Sequence, residues 1–382
     1  MSQMKKKLAI IALITLTSTF SIWLPFILSL KSFLGFPIPS GGTSNLWANY
    51  DGPNYIIVAK TWYQKKLIER NFSLPLPLEY YPAHWPGYPL LIRLVGNLLP
   101  FTQAMMVSTL ISSLLAATVY FLFLSEFKLS TNPLWLTVVF LFLPARFFIT
   151  RSVGTPEPLF IGFILASFYF FKKKKYWRAG IFGALAQITK TPAILLFFTY
   201  GIYLLQQAFK NKNVKEAVRK TLKEALPLLM IPLAVLLVFI FYRVRTGDFW
   251  AYFHSGDNFH LTLLPFQAFN SSRSWLGDIW TEDMIWLYLL AAISVILLLK
   301  KGLTDLGIFA ALFYTATLFV AHRDISRYSL PLWPIGLIGF DAFIQRKEFK
   351  IAFLLILPAI YLYALNFILG NRAPIADWAP YL

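Results

Sequence analysis

Residues 5–30 have the sequence KKKLAIIALITLTSTFSIWLPFILSL, in which three lysines are followed by an apolar run. At a rise of about 1.5 Å per residue, a helix over residues 8–30 is long enough to cross the hydrocarbon core of a bilayer. Because no small-residue cleavage site ends the run, we expect a retained first membrane span rather than a cleaved leader.

Apolar runs of this kind recur along the whole chain. Of the 382 residues, 58% are hydrophobic and 14% are charged, whereas about a quarter of the residues of a soluble protein are charged. Ten further candidate spans cover residues 103–124, 133–150, 158–171, 176–189, 192–209, 225–242, 284–299, 303–321, 328–344 and 351–369. The sequence therefore predicts an all-α, polytopic membrane helical bundle of about 11 transmembrane helices, with residues 1–382 forming a single membrane domain.

The basic residues indicate how the spans are oriented. With the N-terminus inside, more than half of the lysines and arginines fall in inner connections, as the positive-inside rule requires. This topology places the C-terminal tail, all four histidines and two long connections, residues 31–102 and 243–283, on the outer side. The prediction is a multi-pass protein of the cytoplasmic membrane, with its N-terminus inside and its C-terminus outside.

Composition excludes several classes of function. The chain has no cysteine, which excludes disulfides and thiolate metal sites. Its net charge of +18 comes from short basic runs between apolar segments, and this pattern does not indicate a nucleic-acid partner. The sequence has neither a Gly-rich phosphate loop nor a GxGxxG element followed by a helix, and we expect no cofactor.

One acidic residue of the first outer connection is unusual in its placement. Residues 47–70, WANYDGPNYIIVAKTWYQKKLIER, put Asp51 directly before Gly52 and Pro53. Proline is favoured at the start of a helix, so Asp51 is expected at a helix N-terminus, where it either caps the helix or acts as a catalytic carboxylate. Apolar and charged residues alternate from Tyr55 to Arg70, which predicts an amphipathic helix in the membrane interface.

An enzyme with an outer active site needs an activated substrate that reaches it through the bilayer. A polyprenyl-phosphate sugar meets this need as the donor. The acceptor is then a hydroxyl of a glycan, lipid or protein, and membrane lipids surround the donor and the acceptor. The reaction requires a carboxylate that takes the acceptor proton, for which Asp51 is the candidate, and cations that stabilise the departing phosphate.

Four basic residues on the outer side are candidates for binding the donor phosphate. They are Arg151, Lys190, Arg323 and Arg327. The two arginines in HRDISRY, residues 322–328, are four positions apart and are expected on one helix face. The alternative for each residue is a side chain that extends to the membrane interface with no function in binding.

Further candidates for the acceptor or sugar site lie near the same boundary. Glu157, in GTPEPLF, starts a span and either caps it or faces the cavity. His84 forms interfacial hydrogen bonds or acts as an acid or base, and Tyr55 is one of many outer aromatic residues that can stack on a sugar ring. His254, Asp257 and His260 have a weak metal-binding spacing, but Gly256 between them indicates a loop, and we predict no metal site.

Four motifs stand in order along the chain: DGPNYIIVAKTWY at residues 51–63, YYPAHWPGYPLLIRL at 80–94, TKTPAILLF at 189–197 and SRYSLPLWP at 326–334. Together they resemble one family, the PIG-V-type mannosyltransferases of the GT-C superfamily of membrane glycosyltransferases. The resemblance implies a GT-C-like fold, Asp51 as the general base, transfer of a hexose such as mannose with inversion, and no bound metal. It also adds Tyr88 to the sugar site. Lys190 departs from the family pattern, which has Arg there.

Two other classes of function remain open. A lipid-linked sugar flippase or transporter would carry ionisable groups near the middle of the bilayer, often in two repeated halves. A noncatalytic scaffold would tolerate replacement of Asp51 together with the arginines.

Overall fold

The computed structural model describes residues 3–73, 76–256, 260–270 and 281–382. These residues are mostly helical, and the one sheet among them is a two-stranded hairpin of β1 (Ser32–Phe33) and β2 (Phe36–Pro37). The helices are α1 (Gln3–Ile27), α2 (Ser44–Trp47), α3 (Gly52–Thr61), α4 (Lys65–Asn71), α5 (Gly87–Val95), α6 (Phe101–Glu126), α7 (Pro133–Phe142), α8 (Ala145–Thr150), α9 (Glu157–Lys172), α10 (Tyr176–Thr189), α11 (Ile194–Phe209), α12 (Val214–Ala225), α13 (Met230–Thr246), α14 (Thr281–Lys300), α15 (Thr304–Leu318), α16 (Ile325–Tyr328), α17 (Trp333–Gly339), α18 (Asp341–Ile344) and α19 (Lys347–Gly370).

Several helical segments have the length and composition of membrane spans. Among the described residues there are six, at Gln3–Ile27, Phe101–Glu126, Thr191–Phe209, Val214–Thr246, Glu282–Lys300 and Lys347–Gly370. The expectation of an all-α helical membrane bundle is thus confirmed at this level. The number of 11 spans stays a prediction, because several of the other apolar helices are shorter than a bilayer requires.

Proline residues divide some of the expected spans. The stretch 133–150 forms α7 and α8, with Pro144 between them. The stretch 328–344 contains the 3-10 turn Leu330–Leu332 and the short helices α17 and α18, and prolines stand in the first turn of two of these elements. A proline lacks the amide N–H of a helix interior, so the breaks at Pro144, Pro331 and Pro334 have a local cause in the sequence.

The helices pack around two large apolar clusters. One contains α6, α7, α9, α10, α11, α15 and α17, and the other contains α1, α3, α5, α8, α13 and α19. Close pairs include α9 with α6 and α10, and α14 with α15 and α17. The end of α10 and the start of α9 are thereby brought beside α3 and α16.

The first long connection, the segment after α13 and the C-terminal tail meet at one end of the bundle. Lys60 Nζ donates to the carbonyl of Pro380 at 2.6 Å. Arg245 Nε donates to the carbonyl of Trp62 at 2.9 Å. These contacts join segments that lie more than 180 positions apart in the chain.

The opposite end of the bundle is held by ion pairs between helix termini. Lys172 lies 2.7 Å from Asp305, and Lys173 lies 2.7 Å from Glu126. Lys172 is the last residue of α9, and Lys173 is the first residue of the short connection to α10. The two ends of the molecule therefore differ, with long connections at one and short charged connections at the other.

The amphipathic interfacial helix expected over residues 55–70 is a wrong prediction. The chain forms two helices there, because Trp62 and Tyr63 both have positive φ angles, 49° and 63°. Nine of the ten residues of α3 are buried. The buried run from Gly52 to Ala59 packs in the core, and Lys60 is the exception because its ammonium group bonds to the tail. Only α4 has the exposed charged face that was expected.

Candidate functional site

Asp51 occupies the N-cap position of α3, but its carboxylate does not cap the helix. The helix starts at Gly52 with Pro53 in its first turn, as expected, and the Asp51 side chain accepts no hydrogen bond from the described amides at this helix start. Instead, Oδ2 lies 3.5 Å from the guanidinium of Arg327, and Oδ1 lies 3.8 Å from Nε2 of His84. The side chain is 30% exposed. Of the two roles considered, capping is therefore the one that the geometry disfavours.

Glu157 joins the two basic residues of the site. Its Oε1 accepts hydrogen bonds from Nζ of Lys190 and from Nε of Arg327, each at 2.8 Å. The Glu157 side chain is 1% exposed, whereas those of Arg327 and Lys190 are 15% and 25% exposed. Within the described part of the chain, Oε2 of Glu157 is buried and has no hydrogen-bond partner. We refer to Asp51, Glu157, Lys190 and Arg327 as the charge cluster.

Local sequence explains how these four side chains meet. Pro156 precedes Glu157, which begins α9, and Lys190 follows the last residue of α10 in an extended conformation, with φ −153°. Because α9 and α10 are adjacent and antiparallel, the start of one lies beside the end of the other. Arg327 comes from α16, a single turn that faces the same space.

His84 and the two cations of the charge cluster keep Asp51 ionised. Burial by itself would raise the pKa of Asp51, but the adjacent His84 imidazole and the positive charges of Arg327 and Lys190 outweigh it. Together they hold the pKa of this carboxyl well below its usual range. The arrangement can accept a proton at a partly exposed carboxylate and bind an anion at the neighbouring cations.

His84 lies behind the carboxylate, supported by aromatic rings. It is 3% exposed, and the ring of Tyr55 packs edge-on against it at 4.9 Å. Tyr55 in turn contacts Tyr88, whose hydroxyl lies 2.6 Å from that of Thr109. Both tyrosines are buried. Their positions suit a supporting role for His84, and contact of either ring with a sugar stays a prediction.

Further polar residues surround Arg327, and among them Arg146 was missed from the sequence. The Arg327 guanidinium lies over the ring of Tyr50 at 4.3 Å. The Tyr50 hydroxyl accepts a hydrogen bond from Arg146 at 3.2 Å, and Arg146 pairs with Asp324 at 3.0 Å. Arg146 was assigned to a membrane span. Pro144, which breaks that apolar run two residues earlier, was the signal that could have identified it.

Two of the four expected phosphate-binding residues lie outside the charge cluster. Arg151 is fully buried, and its guanidinium donates to the carbonyl of Leu141 and to the hydroxyls of Ser18 and Thr19 at 2.8–2.9 Å. Arg323 is exposed. It does not share a helix face with Arg327, because α16 begins only at Ile325.

Of the three residues considered as metal ligands, the structure describes His254 and His260. Asp257 lies outside the described residues. His254 pairs with Asp248 at 2.6 Å, and the rings of His260 and His322 lie 4.5 Å apart. The described ranges contain no group of three or more His, Cys, Asp or Glu residues that could hold a metal ion.

Comparison with known proteins finds no protein-family model and no curated protein that matches this chain. The resemblance to PIG-V-type mannosyltransferases thus stays a prediction from the four motifs. Three of those motifs nevertheless carry residues of the charge cluster, namely Asp51, Lys190 and Arg327.

Proposed function

We propose that the protein is a membrane glycosyltransferase of the GT-C type, which moves a hexose such as mannose from a polyprenyl-phosphate carrier to an acceptor hydroxyl. The observation that carries the proposal is the position of Asp51. Its carboxylate stands at a helix start without capping it, is partly exposed, and shares its surroundings with Arg327 and Lys190. A general base next to cations is what this transfer requires.

In the proposed reaction, the acceptor hydroxyl attacks C1 of the sugar and its proton passes to Asp51. The bond between the acceptor oxygen and C1 forms as the bond between C1 and the phosphate oxygen breaks. The electron pair of the broken bond stays on the phosphate, whose growing charge Arg327 and Lys190 stabilise. Attack from the face opposite the leaving phosphate inverts the anomeric centre.

The low pKa of Asp51 is compatible with its role as a base. A carboxylate with a lowered pKa is a weak base, because its conjugate acid holds the proton poorly. After His84, the charges of Arg327 and Lys190 are the next causes that lower this pKa, and a donor phosphate bound to these two cations offsets their share. Donor binding therefore raises the pKa of Asp51 at the moment when the acceptor proton must be taken.

Glu157 positions both cations in this scheme. One of its oxygens accepts from Lys190 and Arg327 together, which fixes the distance between them. The proposal also keeps the topology derived from the charge distribution: a multi-pass protein of about 11 spans in the cytoplasmic membrane, with the N-terminus inside and the C-terminus outside. The charge cluster then faces the outer side.

The direct test is sugar transfer by Asp51→Asn in membranes that contain a labelled polyprenyl-phosphate hexose. We expect transfer to fall by about 10²–10⁴-fold, the usual contribution of a general base. Asp248→Asn is the matched control, since Asp248 is a more exposed acid at the same end of the bundle. Normal transfer by a stably expressed Asp51→Asn protein removes the assignment.

The same preparation separates the enzyme from a flippase. In liposomes without any acceptor, a flippase moves the labelled lipid-linked sugar between leaflets, and a glycosyltransferase leaves its distribution unchanged. Movement that survives Asp51→Asn favours the flippase.

A further inference from the structure

A cleft of about 650 Å³ opens at the end of the bundle opposite the charge cluster. It lies between the connection from α9 to α10 and the end of α12. Four basic side chains line it, and they are Lys174, Lys175, Arg178 and Lys223. Glu224 is the acid in the lining. The cleft is therefore strongly positive, and nothing in the proposed transfer reaction uses it.

The four lysines at residues 172–175 have two different kinds of surroundings. Lys172 and Lys173 pair with Asp305 and Glu126, at 2.7 Å each. The next two lysines are exposed and line the cleft, and neither has an acidic partner within the described ranges. Half of the run thus stabilises the helix ends, and the other half is left to bind an anion.

Large apolar side chains stand beside these cations. Trp177 is 67% exposed and Leu226 is 62% exposed, and both line the cleft. Leu222, on α12, is 60% exposed. Indole rings are enriched at the boundary between lipid headgroups and tails. Cations next to exposed apolar groups suit a ligand that has an anionic head and an apolar body.

The backbone at the base of the cleft is held firmly in place. Gly180 of α10 packs against the carbonyl of Pro227, so closely that a Cβ atom at Gly180 would collide with it. Pro227 belongs to the 3-10 turn Leu226–Leu229, which joins α12 to α13. None of the residues of α12 is buried, which is typical of a helix that lies along a surface.

We propose that this cleft binds the phosphate headgroup of an anionic phospholipid. The cations bind the phosphate, and Trp177 and Leu226 contact the upper part of the acyl chains. In the proposed topology this end of the bundle is the inner one, and basic clefts between membrane helices at the inner boundary are suited to such headgroups. A free phosphate ion would bind to the same cations but would make no apolar contact with Trp177 and Leu226.

The test is native mass spectrometry of the full chain in detergent, titrated separately with phosphatidylglycerol, phosphatidylcholine and inorganic phosphate. We expect the wild type to bind phosphatidylglycerol about tenfold more tightly than phosphatidylcholine. Lys174→Gln/Lys175→Gln should lose about tenfold of that affinity, because each basic residue near an anionic lipid surface contributes substantially. Arg178→Gln/Lys223→Gln is a second variant that should show the same loss, and it replaces the first if that protein does not fold.

Lys212→Gln/Lys215→Gln is the matched control, because it removes two exposed lysines from the same end of the bundle, outside the cleft. Its affinity for phosphatidylglycerol should stay within about twofold of the wild type, as a surface charge outside the site predicts. An equal loss in the control overturns the proposal, since it shows unspecific surface attraction. Displacement of the lipid by millimolar inorganic phosphate overturns the lipid assignment. Either result leaves the transfer activity at Asp51 untouched.

Discussion

Arg327 and Arg151 are two largely or fully buried arginines whose surroundings differ in charge. Arg327 contacts the carboxylates of Glu157 and Asp51 and keeps 15% of its side chain exposed. Arg151 donates to one carbonyl and two hydroxyls, and its guanidinium packs against the ring of Phe148 at 4.7 Å. A guanidinium that is fully bonded to neutral groups in the core joins helices together. A guanidinium that is shared between two carboxylates and partly exposed to solvent can exchange one of these carboxylates for another anion.

Position near a helix end therefore does not by itself identify a functional arginine. Both residues follow or lie within short helices close to the same end of the bundle. What separates them is access: an incoming phosphate can reach Arg327, whereas Arg151 is 0% exposed. Replacing each cation in turn and measuring transfer tests whether access separates the functional arginine from the structural one.

Arg327→Gln should have the largest effect. Loss of a charged donor that stabilises the leaving phosphate is expected to reduce transfer by about 10²–10³-fold. Initial rates in membranes with saturating acceptor measure it, and Arg327→Lys should restore part of the rate. Arg323→Gln is the matched control on the same segment and should change the rate by less than about twofold, because its charge is exposed and screened. Equal rates in Arg327→Gln and wild type would refute the site.

Lys190→Gln should have a smaller effect on rate and a distinct effect on pH dependence. We expect about a tenfold loss, since Arg327 still holds the phosphate. Lys190 is one of the charges that lower the pKa of Asp51, so its removal raises that pKa. Asp51 then becomes protonated at a higher pH, and the acid limb of the rate profile moves upward. An acid limb that moves to lower pH, against the sign of this shift, argues against Asp51 as the titrating base.

Arg151→Ala should have the smallest effect on transfer and the largest on stability. Its three hydrogen bonds contribute about 1.5–3 kcal/mol each, and removal of a buried charge returns several kcal/mol of desolvation cost. We expect a net loss of about 2–3 kcal/mol in the free energy of unfolding, with transfer per folded molecule within about threefold of wild type. Thermal unfolding in detergent and normalised rates measure the two quantities. If the Arg151→Ala protein is stable but inactive, Arg151 belongs to the active site after all.

Local sequence was sufficient to predict where part of the charge cluster stands. Pro53, two positions after Asp51, and Pro156, directly before Glu157, indicated helix starts, and the helices do begin at Gly52 and Glu157. Lys190 between two apolar segments indicated a charge at a tight connection, which it is. In each case the signal came from neighbours within two or three positions, because backbone preferences at helix ends act over that range.

Other parts of the site depend on contacts that are distant in the sequence. The burial of Arg151 requires Ser18 and Thr19 of α1, more than 130 positions away. A serine and a threonine on one apolar span were the available signal, since buried hydroxyls need partners. The burial of α3 was also missed, because alternating apolar and charged residues were taken as one helix across the break at Trp62. No periodicity argument detects a left-handed residue inside such a run.

The charge cluster has two acidic and two basic residues, so its formal charges cancel before any substrate binds. In the proposed reaction the donor is a phosphodiester with a single negative charge, and the spent carrier is a phosphomonoester that gains close to a second one. The same cations then attract the product more strongly than the substrate. Departure of the carrier lipid should therefore limit turnover, and added polyprenyl phosphate should inhibit the protein competitively.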